Sequence, residues 1–256
     1  MKLKSKLASA SSIEEKILYL QDSYKGRDCY ILTCGPSLNE YSKKELDDLL
    51  ADELVLSVKQ AYNRHPEISD FHFFNCCNLP VREDKFVHYD YKDSDTISIT
   101  SSNYSPALRW SPYQEHDIFL KVPIRTEKNN EFICRTKNFD KFLLSNGHQR
   151  PSGPGIMLET VIYTAVHLGV KNIYALGWDL SAKNITKVDE YNHFFGSTLD
   201  LLNRGDMLDW EIGETRSASK ELYYWLKSKG ISLHLVSSQS SLYENIPRAR
   251  LEDIRQ

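Results

Sequence analysis

From Arg27 onward the chain alternates short apolar runs with longer amphipathic stretches. That order builds a sheet of parallel strands with helices packed on its faces. DCYILTC (28–34) predicts a buried strand, and SKKELDDLLADE (42–53) predicts a helix with Ser42 as its cap. LVLSV (54–58) is apolar enough for a strand covered on both faces, and DFHFFNC (70–76) predicts a third strand. TISIT (96–100) and DIFLKV (117–122) are strand-like pieces among the turn signals Ser105-Pro106 and Ser111-Pro112, and no topology is assigned to residues 78–146. RPSGPGIMLETVIYTAVHLGV (150–170) reads as a Gly/Pro loop feeding a buried helix through Ile156, Val161, Ile162, Ala165 and Leu168, ended by Gly169. KNIYALGWDL (171–180) is a buried strand, ETRSASKELYYWLKSKG (214–230) a helix closed by Gly230, and ISLHLVS (231–237) the last strand. Residues 181–212 lack a clean period and carry Asn, Asp, Gly and aromatic residues, the composition of a lid over a site. The pattern therefore predicts an α/β fold: a largely parallel sheet with helices on both faces, an N-terminal helical segment over 1–25, and a single domain over 26–256 with a lid at about 181–212.

Composition narrows the partners. With 32 basic and 35 acidic residues and a formal charge of −3, the chain has no global field for nucleic acid. Its five cysteines, Cys29, Cys34, Cys76, Cys77 and Cys134, have neither metal-ligand spacing nor an even count for a disulfide framework, so they read as reduced thiols. No apolar run is long enough to span a bilayer, and the first residues lack a signal-peptide core. These features predict a cytoplasmic protein. Its start, with Lys2, Lys4 and Lys6 ahead of a helix signalled by Ser11-Ser12 and Glu14-Glu15, suits either docking onto the domain or contact with anionic lipid at the inner face of a membrane.

Candidate chemistry collects at the strand ends. In open α/β sheets ligands bind beyond the carboxyl ends of the strands. Those ends carry Cys34-Gly35-Pro36-Ser37, Lys59-Gln60, Asn75 and Gly177-Trp178-Asp179. Strand, Gly-Pro-Ser, then helix is the layout of a phosphate-facing turn, in which Gly35 lets a ligand approach the backbone, Pro36 stiffens the turn, and Ser37 offers a hydroxyl and an N–H. With the Ser152-Gly153 loop, the ends suggest one cleft. Asp179 is suited to a ribose, a base or a metal, or to capping a turn. His193, in DEYNHFFG, and Glu214 are candidates for acid–base work, with a surface histidine and a helix-dipole carboxylate as the plainer readings. The remaining histidines form no HExxH pair, and no metal site is predicted. PSGPG is not a nucleophile elbow.

These islands resemble, in order over roughly residues 27–236, the bacterial lipooligosaccharide sialyltransferases. YILTCGPSLNEY resembles that family's opening strand and turn, LSVKQAY its second strand, FHFFNCCNL its third, and the stretch from Arg150 to Leu180 its Ser-Gly loop, buried helix and Gly-x-Asp strand end. The resemblance implies a Rossmann-like glycosyltransferase that moves sialic acid, Kdo or a similar acidic sugar from a CMP-activated donor to a surface glycan of the lipopolysaccharide or capsule type. It implies no cofactor, and it implies homo-oligomers. Gly35, Pro36, Ser37, Gln60, Asn75, Ser152, Gly153 and Asp179 would surround CMP, and Tyr191 would hold the leaving phosphate.

The chain departs from the family at Cys34 and Lys59, where the family carries Asn, and at Glu214, where it carries the catalytic histidine. Cys34 and Lys59 stay within the implied donor site, where Lys59 suits a phosphate or carboxylate. A base at Glu214 or His193 implies inversion, and direct attack by a carboxylate implies retention. Two other readings remain. The chain also resembles an archaeal-type pterin pyrophosphokinase, which would use ATP and Mg²⁺ with Asp179 on the metal, and it could be a non-catalytic nucleotide- or glycan-binding subunit of polysaccharide assembly.

Overall fold

The computed structural model describes residues 2–76, 89, 91, 94–102, 116–122, 139–151, 155–180, 192–193, 196–197, 205–238 and 240–254. Its centre is a seven-stranded sheet built from β1 (Asp28–Leu32), β2 (Leu54–Val58), β3 (Phe71–Cys76), β4 (Ile97–Ser102), β5 (Ile118–Lys121), β6 (Asn172–Leu176) and, after a two-residue hairpin of β7 (Asn192–His193) and β8 (Gly196–Ser197), β9 (Ser232–Val236). The order across the sheet is β5-β4-β3-β2-β1-β6-β9, and every pairing is parallel. The expectation of a largely parallel, Rossmann-like sheet is therefore met. The chain winds outward from β1 in one direction, then returns to β6 on its other side. That reversal puts the topological switch between β1 and β6.

The strands are apolar throughout because both sheet faces are covered. Cys29, Ile31, Leu54 and Leu56 join one buried cluster with Leu7, Leu20, Val161, Leu222 and Leu226, while Tyr30, Leu32 and Val55 point the other way, into a cluster with Leu38, Leu46, Leu50 and Leu251. The first face packs α1 (Leu3–Ser9), α2 (Ile13–Leu20), a π-helical turn at Met157–Val161 running into α5 (Ile162–His167), and α6 (Gly205–Ser228). The second packs α3 (Lys43–Leu50), α4 (Ala61–Arg64) and α7 (Leu251–Ile254).

The local signals hold where they were strongest. Ser42 Oγ accepts the Glu45 N–H at 3.2 Å and the Glu45 carboxylate accepts the Ser42 N–H at 3.3 Å, which completes a capping box on α3. Gly169 and Gly230 end their helices at φ +80° and +73°, backbone that glycine adopts without penalty.

One open alternative is decided and one element differs from expectation. The basic start is a helix of its own, α1, which buries Leu7 and ties Lys2 to Asp95 and Lys4 to the Ser94 carbonyl (2.7 Å). This start is docked against the domain. Helix α6 begins at Gly205, nine residues before the predicted start at Glu214, so residues 205–212 of the expected lid are helical. Glycine at 205 and 213 lowers helix propensity and broke the apolar period, and the longer helix prevailed over that local preference. Apart from the β7–β8 hairpin backbone, residues 181–204 lie outside the described residues.

One buried cation organises the approach to the Ser152-Gly153 loop. Arg150 is 1% exposed, and its guanidinium donates to the carbonyls of Phe142 (2.6 Å) and Gly147 (2.7 Å) while lying 5.4 Å from the Tyr163 ring centre. Its backbone N–H donates to Lys121 O at the end of β5 (2.8 Å). Burial lowers its pKa to about 10. Arg150→Met is expected to leave those carbonyls without donors and to lower stability by about 2–4 kcal/mol, measured as a drop in the urea midpoint at unchanged slope.

Candidate functional site

The exits of β1 and β6 are bridged to one another. Beyond Leu32, Thr33 N–H donates to Leu176 O (2.9 Å) and Gly35 N–H to Gly177 O (2.8 Å), so the β1 exit leans onto β6. The Asp179 carboxylate, 2% exposed, then accepts the Ser37 N–H (2.7 Å) and the Ser37 hydroxyl (2.5 Å), and also the Ser237 hydroxyl from the exit of β9. Three donors on one buried carboxylate are charge-assisted hydrogen bonds, the kind that makes burial of the group tolerable. Gly35 is required by this contact. A Cβ there would stand 2.1 Å from Gly177 O and 2.5 Å from an Asp179 oxygen, so the space beside Gly35 belongs to the protein itself. Pro36 opens the short 3₁₀ turn Pro36–Glu40, in which Leu38 N–H donates to Gly35 O (3.1 Å).

On the β2 side of this bridge the next exits come together. The Cys34 thiol donates to Val58 O (3.3 Å) and lies 3.7 Å from Gln60 Oε1. Burial pushes this thiol's pKa up, and the neighbouring Lys59 ammonium pulls it the other way. Lys59 itself sits at φ +49°, a left-handed conformation costly for a residue with a Cβ. It is held there on both sides of its peptide: its N–H donates to Phe73 O (2.8 Å), while its carbonyl accepts from Tyr62 N–H (3.1 Å) and from His72 Nε2 (3.0 Å). A carbonyl can only accept, so His72 carries its proton on Nε2, and Nδ1 accepts from the Tyr91 hydroxyl. His72 is fully buried, stacked 4.5 Å from Tyr62, and burial lowers its pKa to about 3. It is a neutral bracket that sets the backbone of Lys59.

Of the other expected site residues, Asn75 lies near the end of β3 in register with Ser101, at the same edge as Lys59 and Gln60. His193 belongs to β7, paired with Gly196. Glu214 is half-buried on α6, and two residues on, Arg216 donates to Leu180 O (3.2 Å) and Ser241 Oγ (3.0 Å). That turn of α6 therefore abuts the exit of β6. Ser152, Gly153 and Tyr191 lie outside the described residues.

The structure also supplies partners that the strand-end reading passed over. Ser237 shares the Asp179 carboxylate, Ser240 Oγ donates to Trp178 O (2.7 Å), and Ser241 N–H donates to Asp179 O (2.7 Å). The signal was present in the serine-rich VSSQSS after the last strand, a fifth polar strand end. Among the described residues no cluster of His, Cys, Asp and Glu could hold a metal ion, and no helix is long and apolar enough to cross a membrane.

No protein-family model matches the sequence. No curated protein matches it. Among solved structures, the chain is similar to the sialyltransferase CstII from Campylobacter jejuni in complex with the substrate analogue cytidine-5'-monophosphate, at 15% identity and a TM-score of 0.44, with 89% of this chain and 86% of that chain covered. The structure of the same Campylobacter jejuni enzyme in complex with CMP-3FNeuAc gives 14% identity and a TM-score of 0.37, covering 87% of each chain.

Gly35→Ala is expected to force the β1 and β6 exits apart and cost about 3 kcal/mol. Asp179→Asn, which replaces one accepting oxygen by a donor, is expected to cost about 2 kcal/mol. Both are read from chemical denaturation. For His72, whose folded pKa lies below the ordinary 6.5, the unfolded chain binds the extra proton. Its contribution is fully present above pH 6.5 and is lost as pH falls from 6.5 towards about 3, at roughly 1.4 kcal/mol per pH unit. Unfolding free energies between pH 4.5 and 7.5 should show a slope that His72→Gln reduces by one proton.

Proposed function

We propose that the protein is a glycosyltransferase that takes an acidic sugar from a CMP-activated donor, with the nucleotide lying over the exits of β1, β2 and β3. The observation that carries this reading is the meeting of Cys34, Lys59 and Gln60 on the β2 side of the β1–β6 bridge, at the carboxyl edge of an all-parallel sheet. The ordered islands that resemble lipooligosaccharide sialyltransferases support it. In this reading Gly35, Pro36, Ser37 and Asp179 form the rigid wall beside the nucleotide. Gln60 and Asn75 supply amide groups for base or ribose, Lys59 faces the donor's phosphate or carboxylate, and Ser152, Gly153 and Tyr191 complete the enclosure.

An acceptor hydroxyl then attacks the anomeric carbon. The new C–O bond forms as the bond to the CMP phosphate oxygen breaks, the electron pair leaves on CMP, and the hydroxyl proton passes to His193 or Glu214. Glu214 is half-buried on α6 and His193 belongs to β7. The pyrophosphokinase reading asks Asp179 to bind a metal. Its oxygens already accept from Ser37 and Ser237, which favours the transferase.

A thermal-shift comparison of CMP, CDP, UDP, GDP, ADP and ATP, with and without Mg²⁺, tests the reading. CMP is expected to stabilise the protein selectively and without metal, by about 2.7 kcal/mol at a hundredfold excess over its Kd, and Gln60→Ala to remove most of that shift. His193→Ala or Glu214→Ala should keep the shift while the residue that is the base loses about 10²–10⁴-fold in turnover. Selective response to ATP with Mg²⁺ overturns the transferase reading, and binding without turnover in the intact protein turns it into a binding subunit.

A further inference from the structure

A concave site lies on the β9 side of the bridge. It is a cavity of about 720 Å³, bounded by the end of the 3₁₀ turn at Glu40, by Ser237 and Ser238 after β9, and by the C-terminal segment from Arg248 to Asp253. Its walls are held by the backbone. Leu235 N–H donates to Pro247 O (2.9 Å) and Ala249 N–H to Leu235 O (3.1 Å), so the C-terminal segment runs beside β9 as a parallel bridge. The Leu251 N–H is directed at the Tyr41 hydroxyl (3.4 Å). Glu40 accepts from the Ser238 hydroxyl, which fixes one carboxylate at the rim. Ser237, in the lining, donates its hydroxyl to Asp179 and so joins this cavity to the wall of the proposed donor site.

The lining chemistry selects a ligand class. The lining residues bring three carboxylates, from Glu40, Glu252 and Asp253, and two guanidiniums, from Arg248 and Arg250, the Arg248 guanidinium also donating to Ser240 O (3.1 Å). Among the described residues, Arg250 and Asp253 use their side chains in no hydrogen bond or salt bridge. An anionic ligand meets more carboxylates than guanidiniums, and a cationic one meets two arginines. Hydroxyl groups both donate and accept, so a neutral polyol satisfies both kinds of group: vicinal hydroxyls donate to a carboxylate and accept from a guanidinium fork. The volume falls in the range of small-ligand sites and has room for a short chain of sugar rings.

We propose that this cavity binds neutral oligosaccharide and serves as the subsite for the acceptor chain. The acceptor role rests on the glycosyltransferase reading; the oligosaccharide site itself does not. Saturation-transfer NMR on the full chain with lactose, maltose and cellobiose tests it, alongside the CMP thermal shift. At least one disaccharide is expected to receive saturation, with affinity falling at least tenfold in the Arg250→Ala/Asp253→Ala double variant while the CMP shift stays at its wild-type size. Both substituted side chains are exposed, and the variant's unfolding midpoint reports its folding. No transfer to any of the three sugars overturns the proposal, as does transfer that the double variant leaves intact. Loss of the CMP shift in that variant would put the nucleotide in this cavity and overturns it too. Sugar binding that responds to the variant, in a protein on which CMP has no effect, sustains the oligosaccharide site and removes the donor reading instead.

Discussion

The buried carboxylate of Asp179 is the constraint on which the carboxyl edge of the sheet depends. It gathers the exits of three strands: β1 through both donors of Ser37, β6 through its own backbone, and β9 through Ser237. A buried charge is costly unless its hydrogen-bonding capacity is met, and here the donors come from turns that the chain could otherwise place in several ways. Satisfying one carboxylate therefore sets the relative positions of those turns. Gly35 is the steric counterpart, because the bridge closes only where no Cβ stands between the β1 exit and Gly177.

The bridge closes the place where an open α/β sheet usually presents its crevice, the switch between β1 and β6. Candidate groups stand on both sides of the bridge. On one side lie Cys34, Lys59 and Gln60, on the other the cavity between Glu40, Ser238 and the C-terminal segment. In the proposed assignments the acceptor chain rests on the β9 side of this wall, and its reacting end extends past the wall to the donor, because the attacking hydroxyl must reach the anomeric carbon.

Polar groups inside the core do comparable positioning elsewhere. His72 is kept neutral by burial and joins the Tyr91 hydroxyl to the strained Lys59 peptide, and Arg150 gathers the carbonyls of the loop that leads towards Ser152 and Gly153. Each such group is costly to bury alone and stabilising only with its partners in place. The residues that set the candidate site are thus held from beneath by side chains that would not themselves touch a ligand.

The linear pattern was sufficient for the seven strands of the main sheet, for the capping box at Ser42 and Glu45, for the glycine ends at Gly169 and Gly230, and for the α/β class with its polar strand ends. These depend on local propensity and on periods of two and 3.6 residues, which are written along the chain. What the Asp179 carboxylate accepts from, why Gly35 must be glycine, and which way the β1 exit leans were decided only in three dimensions. Ser37 and Asp179 stand 142 residues apart, and a carboxylate after a strand reads the same whether its partner is a ligand, a metal or a serine. Likewise, the helical start at Gly205 and the docked helix at Leu3–Ser9 came from tertiary packing that outweighed weak or ambiguous local signals. Sequence determined which residues reach the carboxyl edge, because strand length and order are local. The fold decided what they do there, because satisfying a buried charge is a property of neighbours in space.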